Sequence, residues 1–187
     1  MKDNNFFELK NNFDKYKNVK SKLVIGEKQN IYPEFSILIP TYDRLKYLDE
    51  AIESVINQNF IKSKFEIIIV DNDPKSNLEV KSMIQSKKCK NLVYYKNESN
   101  IGMVGNWNRC IELSSGKWIT FLHDDDLFED HYLQKMNSFI NKHPDYYLIA
   151  PTAQILKNEY VNKPIKALSK GKYIILKIQD LIYGNPV

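Results

Sequence analysis

Three adjacent carboxylates, Asp124-Asp125-Asp126, are preceded directly by His123. Neighbouring carboxylates repel one another, and a divalent cation held between them relieves that cost. Hard oxygen donors of this kind suit Mg2+ or Mn2+, which are often bound by one or two carboxylates together with phosphate oxygens and water. A cation so placed would neutralise charge developing on a departing diphosphate. The simpler alternative is an acidic loop that caps the helix after it. A second polar cluster, Asp71-Asn72-Asp73-Pro74, offers a carboxylate and an amide to the edge of a base or ribose, and it also has the composition of an Asx-type turn. Thr41-Tyr42-Asp43-Arg44 is a third polar cluster.

Each cluster directly follows an apolar run. Residues 35–39, 65–70 and 117–122 read as strands, the second with β-branched residues on both faces. Between them, Leu45, Leu48, Ile52, Val55 and Ile56 recur at helical spacing, in a helix ending near Asn59. A second helix is predicted over about 75–86, a strand at Leu92 to Tyr95 and a loop from Asn100 to Gly105. A helix through Trp107, Cys110, Ile111 and Leu113 is closed by Gly116. After the acids, a helix with Glu129 and Asp130 in its first turn buries Leu133, Met136 and Ile140, and a strand begins at Tyr146. Asp180 falls in a further helix, with Ile178, Leu181 and Ile182 on its apolar side.

Strands alternating with helices predict an α/β fold, a mainly parallel sheet flanked by helices on both faces. Ligands of such sheets sit outside the carboxyl ends of the strands. All three polar clusters stand at those ends, so separate segments converge on one rim. Residues 1–34, rich in Asn and Lys, read as an N-terminal extension, either a short amphipathic helix or a loose arm. The domain proper runs over 35–187.

Composition narrows the function. A chain of 187 residues with 43% hydrophobic and 27% charged residues has the makings of one domain with a real core. The net charge of +4 is mild and the lysines are scattered, so nucleic acid is not an expected partner; Lys87, Lys88 and Lys90 read as a solvated loop. Cys89 and Cys110 have no metal-type spacing and read as free thiols. No apolar run has the length of a membrane span and the start is not a signal peptide, so the expectation is cytoplasmic, with peripheral contact at the inner membrane face as the alternative. Dinucleotide, Walker, zinc-protease and nucleophile-elbow motifs are absent. Trp107 and Trp118 read as core residues, while His123 reads as a phosphate or metal contact or as structural. A nucleotidyltransferase would want a glycine-rich basic loop after the first strand, where this chain has Pro40-Thr41-Tyr42.

Four ordered motifs resemble the family 2 glycosyltransferases of the GT-A fold: Phe35 to Arg44, the helix ending Ser54 to Gln58, Phe65 to Asn72, and Gly116 to Asp126. Asn100-Ile101-Gly102 and Asn106-Trp107-Asn108 resemble the segment before that family's metal motif. The resemblance implies transfer of a sugar, with inversion, from a UDP- or dTDP-sugar to a glycan or lipid-linked acceptor in cell-surface polysaccharide or glycoconjugate synthesis. It implies nucleotide-sugar binding by Pro40, Thr41, Tyr42, Asp71, Asn72, Gly102, Asn108, Asp124 and Asp125. It further implies Mn2+ or Mg2+ as cofactor, on Asp125 and Asp126. There are two departures from the family's pattern: Asn72 stands where a second acid is usual, and His123 replaces the first acid of the commonest metal motif. The family places its catalytic base, a carboxylate, well after the metal motif. Asp145 and Asp180 lack the acidic context of that base, so it is expected beyond Val187 and the domain is expected to be incomplete at its C-terminus. The alternative is a nucleotide-sugar-binding module without turnover.

Overall fold

Parallel strands covered on both faces need unbroken apolar runs, and two such runs form the centre of the fold. Every residue of Phe35–Thr41 (β2) is buried, as is every residue but Glu66 of Phe65–Asp71 (β3). The structure, a computed structural model, describes residues 13–28, 32–75 and 78–151. Around the central pair lie Ser21–Ile25 (β1), Leu92–Asn97 (β4) and Trp118–Phe121 (β5). The helices are Leu45–Ile56 (α1), Leu78–Ser86 (α2), Gly102–Leu113 (α3) and Tyr132–Lys142 (α4). The sheet order is β1-β4-β3-β2-β5, parallel throughout except for the antiparallel β1–β4 pair.

From β2 to β3 to β4 the chain steps in one direction, and from β4 it crosses back to place β5 on the far side of β2. Right-handed crossovers then require α1 and α2 on one face and α3 on the other. Accordingly α3 covers Leu38, Ile68, Val70, Val93 and Tyr95 with Cys110, Ile111 and Leu113. On their own buried sides α1 carries Leu48, Ala51, Ile52 and Val55, and α2 carries Val80 and Ile84. Gly116 lets the chain pass close to β2, since a Cβ there would lie 2.6 Å from the Ser36 nitrogen.

The structure corrects several expectations. Residues 21–25, assigned to a helical or loose extension, are an edge strand paired with β4 from Ser21–Asn97 to Ile25–Tyr94. The preceding segment is tied down by buried Arg109, which donates to Tyr16 O, Val19 O and Ser21 Oγ. Residues 1–12 lie outside the described residues. Gly102 to Gly105, expected in a loop, form the first turn of α3, and the helix predicted from about 75 begins at Leu78. β5 is less buried than a central strand because among the described residues only β2 pairs with it; Ile119 is 42% exposed. α4 starts at Tyr132, leaving Glu129 and Asp130 before it: Leu133 N–H, which would close a helical turn on Glu129, donates instead to Gln58 Oε1, and the Glu129 and Asp130 carbonyls accept from Gln58 Nε2 and Asn59 N–H.

The chain divides into Met1–Tyr146 and Tyr147–Val187. In the second unit the described residues, 147–151, have no regular structure, with Tyr147 and Leu148 exposed. The strand expected from Tyr146 is therefore absent: these residues have no ladder partner among the described residues. The helix expected around Asp180 lies outside the described residues.

Candidate functional site

The crossover that sets β5 beside β2 brings the acidic turn to the carboxyl end of β2. Thr41 Oγ1 donates to Asp124 Oδ2 at 2.8 Å, and both side chains are buried. Beyond Asp124 the chain turns, with Asp126 N–H donating to His123 O at 3.1 Å. The turn exposes His123, Asp125 and Asp126, whose ligand-capable atoms all lie within 4.8 Å of one another. One imidazole and two carboxylates make a donor set that suits Mn2+, and Mg2+ through its oxygens. His123 is oriented by an edge-on contact with Trp107 at 5.0 Å, and Trp107 stacks on Phe121 at 5.1 Å. Half-exposed Arg44 reaches across from β2, its Nη1 2.5 Å from Asp125 Oδ2 and 3.7 Å from Asp124 Oδ1. The hydrogen bond to Asp125 and the charges of Asp124 and Asp125 raise the guanidinium pKa further above its ordinary value.

At the end of β3, paired directly with Thr41, stands Asp71. Its Oδ2 accepts from Tyr94 OH at 2.7 Å and Lys96 Nζ at 3.0 Å, and its Oδ1 from Asp73 N–H at 2.9 Å. Burial, reinforced by the bond to Asp71, pushes the Tyr94 hydroxyl far up from its ordinary pKa. Asn72 uses its whole amide internally. Its Oδ1 accepts from Asn97 Nδ2 and Ile101 N–H, each at 3.0 Å, and its Nδ2 donates to Asn100 Oδ1 at 2.9 Å and Gly102 O at 3.3 Å. The network continues from Asn97 to Asn106 Oδ1, and from Asn106 Nδ2 to Val70 O, each at 2.9 Å. Gly102 stands at φ +74°, a left-handed conformation that glycine adopts without strain, and its N–H donates to Asn100 Oδ1.

A shallow cleft opens between the two strand ends, lined by Thr41, Asp43, Arg44, Leu48, Asp71, Asp73 and Val80. Of the residues singled out in the sequence, Thr41 and Asp71 line it, Asp124 is bonded to Thr41, and Asp125 and Asp126 join the exposed acidic group. Asn72 and Gly102 belong to the asparagine network. Pro40 is buried within β2 opposite Val70, Tyr42 is 52% exposed outside the cleft lining, and Asn108 is half-buried on α3 outside both the lining and the network. Sequence reading placed Asp43, Arg44 and Asp73 in the polar clusters of the rim without a binding role, read Leu48 only as part of a helix's apolar stripe, and did not select Val80. The place of Arg44 at the end of the polar cluster after the first predicted strand was the available signal for it; the lining role of Leu48 and Val80 depends on how α1 and α2 are placed.

A mainly parallel sheet with a polar cleft and an acidic turn at its switch point is the arrangement of the GT-A glycosyltransferases. The family described as "Glycosyl transferase family 2" matches residues 36–184, and the chain belongs to that family. It is similar to the minor teichoic acid biosynthesis protein GgaB of Bacillus subtilis, 30% identical over 110 residues, covering 59% of this chain and 12% of that protein. It is also similar to the Campylobacter jejuni GalNAc(5)-diNAcBac-PP-undecaprenol beta-1,3-glucosyltransferase, 36% identical over 97 residues, covering 50% of this chain and 30% of that protein. Among solved structures, Staphylococcus aureus TarS 1-349 in complex with UDP-GlcNAc superposes with a TM-score of 0.55 at 27% identity, over 59% of this chain and 32% of that one. The chain thus spans a third or less of each of these relatives.

Proposed function

We propose that this chain supplies the donor-binding part of a metal-dependent glycosyltransferase that moves a sugar, with inversion, from a UDP- or dTDP-sugar to a cell-surface glycan or lipid-linked acceptor. The observation that carries this reading is the Thr41–Asp124 hydrogen bond, which fastens the acidic turn beside the cleft at the switch point of the sheet. A nucleoside in the cleft would place its diphosphate toward the exposed acids. The TarS structure with UDP-GlcNAc favours a uridine donor, and the names of GgaB and the undecaprenol-linked glucosyltransferase favour a surface polymer or lipid-linked acceptor. A cytoplasmic location with contact at the inner membrane face would suit such acceptors; among the described residues no helix is long and apolar enough to cross a membrane.

Each side chain has a distinct task in this scheme. Asp125 and Asp126, with His123 beside them, would hold Mn2+ or Mg2+, which as a Lewis acid stabilises the departing diphosphate. Thr41 fixes the rotamer of Asp124, so the turn is ordered before the donor arrives. Asp71 has Oδ2 taken by Tyr94 and Lys96, which leaves a lone pair on Oδ1 for a base N–H or a ribose hydroxyl. Asn72 acts through the loop it orders, Asn100 to Gly102, since its own amide is fully engaged.

The test is thermal unfolding of the chain with UDP, dTDP or GDP, each with and without Mn2+. A nucleotide present at 100 times its Kd adds about 2.7 kcal/mol of stability, or roughly 5–10 °C in Tm for a chain of this size. That shift is expected for UDP or dTDP with Mn2+ and is expected to vanish in Asp125→Ala. If no nucleoside diphosphate raises Tm, the reading is wrong.

A further inference from the structure

Arg44 belongs to two features at once. It lines the cleft together with Thr41, Asp43, Asp71 and Asp73, and its guanidinium also lies on Asp125 and near Asp124. Asp125 is in turn a member of the exposed group with His123 and Asp126. A guanidinium and a divalent cation on one carboxylate repel each other, so Arg44 in this position competes with the metal that the proposed function requires. Its backbone is fixed, because Arg44 O accepts from Leu48 N–H at 2.9 Å at the start of α1. The side chain is half exposed and can swing without disturbing packing. A guanidinium released from Asp125 remains at the cleft mouth, where a diphosphate is the ligand its fork of donors suits best.

We propose that Arg44 is a resident counter-ion of the acidic turn that the metal–donor pair displaces, and that the displaced guanidinium then binds the donor's diphosphate. Before the donor binds, Arg44 offsets the repulsion among Asp124, Asp125 and their acidic neighbours. After the exchange its charge opposes that of the diphosphate. The inference rests on the donor-binding reading above and adds a residue to it with two roles of opposite sign.

The test uses the full chain and Arg44→Gln, which keeps the backbone and removes the charge. Mn2+ binding without nucleotide, read from the electron paramagnetic resonance of the free ion, is expected to tighten about two- to fivefold, the range of an exposed ion pair. UDP binding at saturating Mn2+, read by calorimetry, is expected to weaken on the order of tenfold, as for loss of a charge-assisted hydrogen bond. Uridine, which lacks phosphate, is expected to bind both forms equally. Arg44→Lys is expected to restore the weak Mn2+ binding of the wild type but only part of the UDP affinity. The inference is overturned if Arg44→Gln leaves Mn2+ affinity unchanged or lowers it, or if uridine loses as much affinity as UDP. A wild-type chain that binds neither Mn2+ nor UDP would instead overturn the donor-binding reading, and this inference with it.

Discussion

The most discriminating single substitution is Asn72→Asp, which puts an acid where the resembled family usually has one. It is nearly isosteric. Both acceptor bonds, from Asn97 Nδ2 and Ile101 N–H, survive. Both donor bonds are lost, and a carboxylate oxygen comes to face Asn100 Oδ1, now 2.9 Å from Nδ2, and Gly102 O, now 3.3 Å away. A buried acceptor left without its donor costs about 1–3 kcal/mol. Asn100 is exposed and water can serve it in part, and the longer bond is the weaker of the two, so the lower end of that range applies to each. The expected loss is about 2–4 kcal/mol at pH 7, which at a urea m-value of about 2 kcal/mol/M lowers the unfolding midpoint by about 1–2 M. Acid should reverse part of it. The protonated carboxyl regains a donor for Asn100 Oδ1, so its pKa in the folded state lies above the unfolded value of about 3.9. A raised folded pKa means the folded state keeps a proton that the unfolded state has released, so the deficit shrinks as pH falls from 7 through that folded pKa. Urea titrations of both forms at several pH values measure this. An Asn72→Asp chain as stable as wild type at pH 7, or a deficit indifferent to pH, would refute the account of the network.

Two further substitutions test the core and the support of the acidic turn. Cys110 is fully buried, and burial pushes its thiol far above its ordinary pKa; an unfolded thiol ionises near pH 8.5, so above that pH stability falls by up to about 1.4 kcal/mol per pH unit per such thiol. Urea midpoints under reducing conditions between pH 7.5 and 10 are expected to decline less steeply in Cys110→Ala, and parallel slopes would count against this. Gln58 joins the end of α1 to the start of α4, donating to Glu129 O at 2.8 Å and accepting from Leu133 N–H at 3.0 Å. Gln58→Met removes these two bonds and the one Nε2 gives Ser54 O at 3.1 Å, at nearly constant volume, for an expected cost of about 2–3 kcal/mol in urea unfolding together with weaker Mn2+ binding; undiminished Mn2+ affinity would show that the acidic turn does not need this support.

What could be read from the sequence was whatever a short window determines. The runs 35–39 and 65–70 are apolar on both faces, a pattern that fits a central parallel strand, and β2 and β3 are the two most buried strands. The polar clusters were legible because each ends such a run. β1 was not, since Ser21–Ile25 mixes polar and apolar residues and becomes a strand only because β4 offers it an edge and Arg109 holds the chain before it. Asn72 was read as a ligand contact because an amide at a strand end invites that reading. Its four partners come from residues 97 to 102, brought near by the pairing of β3 with β4, and no local pattern announces them. Glu129 and Asp130 illustrate the same limit, for acids at this spacing usually open a helix, and here tertiary bonds from Gln58 and Asn59 hold their carbonyls instead.

The acids around the rim differ in what satisfies them, and that difference assigns their roles better than their proximity does. Asp71 and Asp124 are buried and bound by neutral or cationic donors within the fold: Tyr94, Lys96 and the Asp73 N–H for the first, Thr41 for the second. Replacing either removes an acceptor that other elements depend on, so loss of function there would not by itself identify a ligand contact. Asp125 and Asp126 are exposed, and the contact of Asp125 with Arg44 is a surface ion pair of the kind that contributes little to folding. Their side chains can therefore change partners at little cost to stability, as the proposed donor site would require. Placing exchangeable acids on a turn whose neighbouring acid is fixed to β2 keeps repulsion among the carboxylates from displacing the turn. This arrangement depends on the return crossover from β4 to β5, because a chain that continued stepping in one direction would have put β3 and β4 between the acidic turn and Thr41.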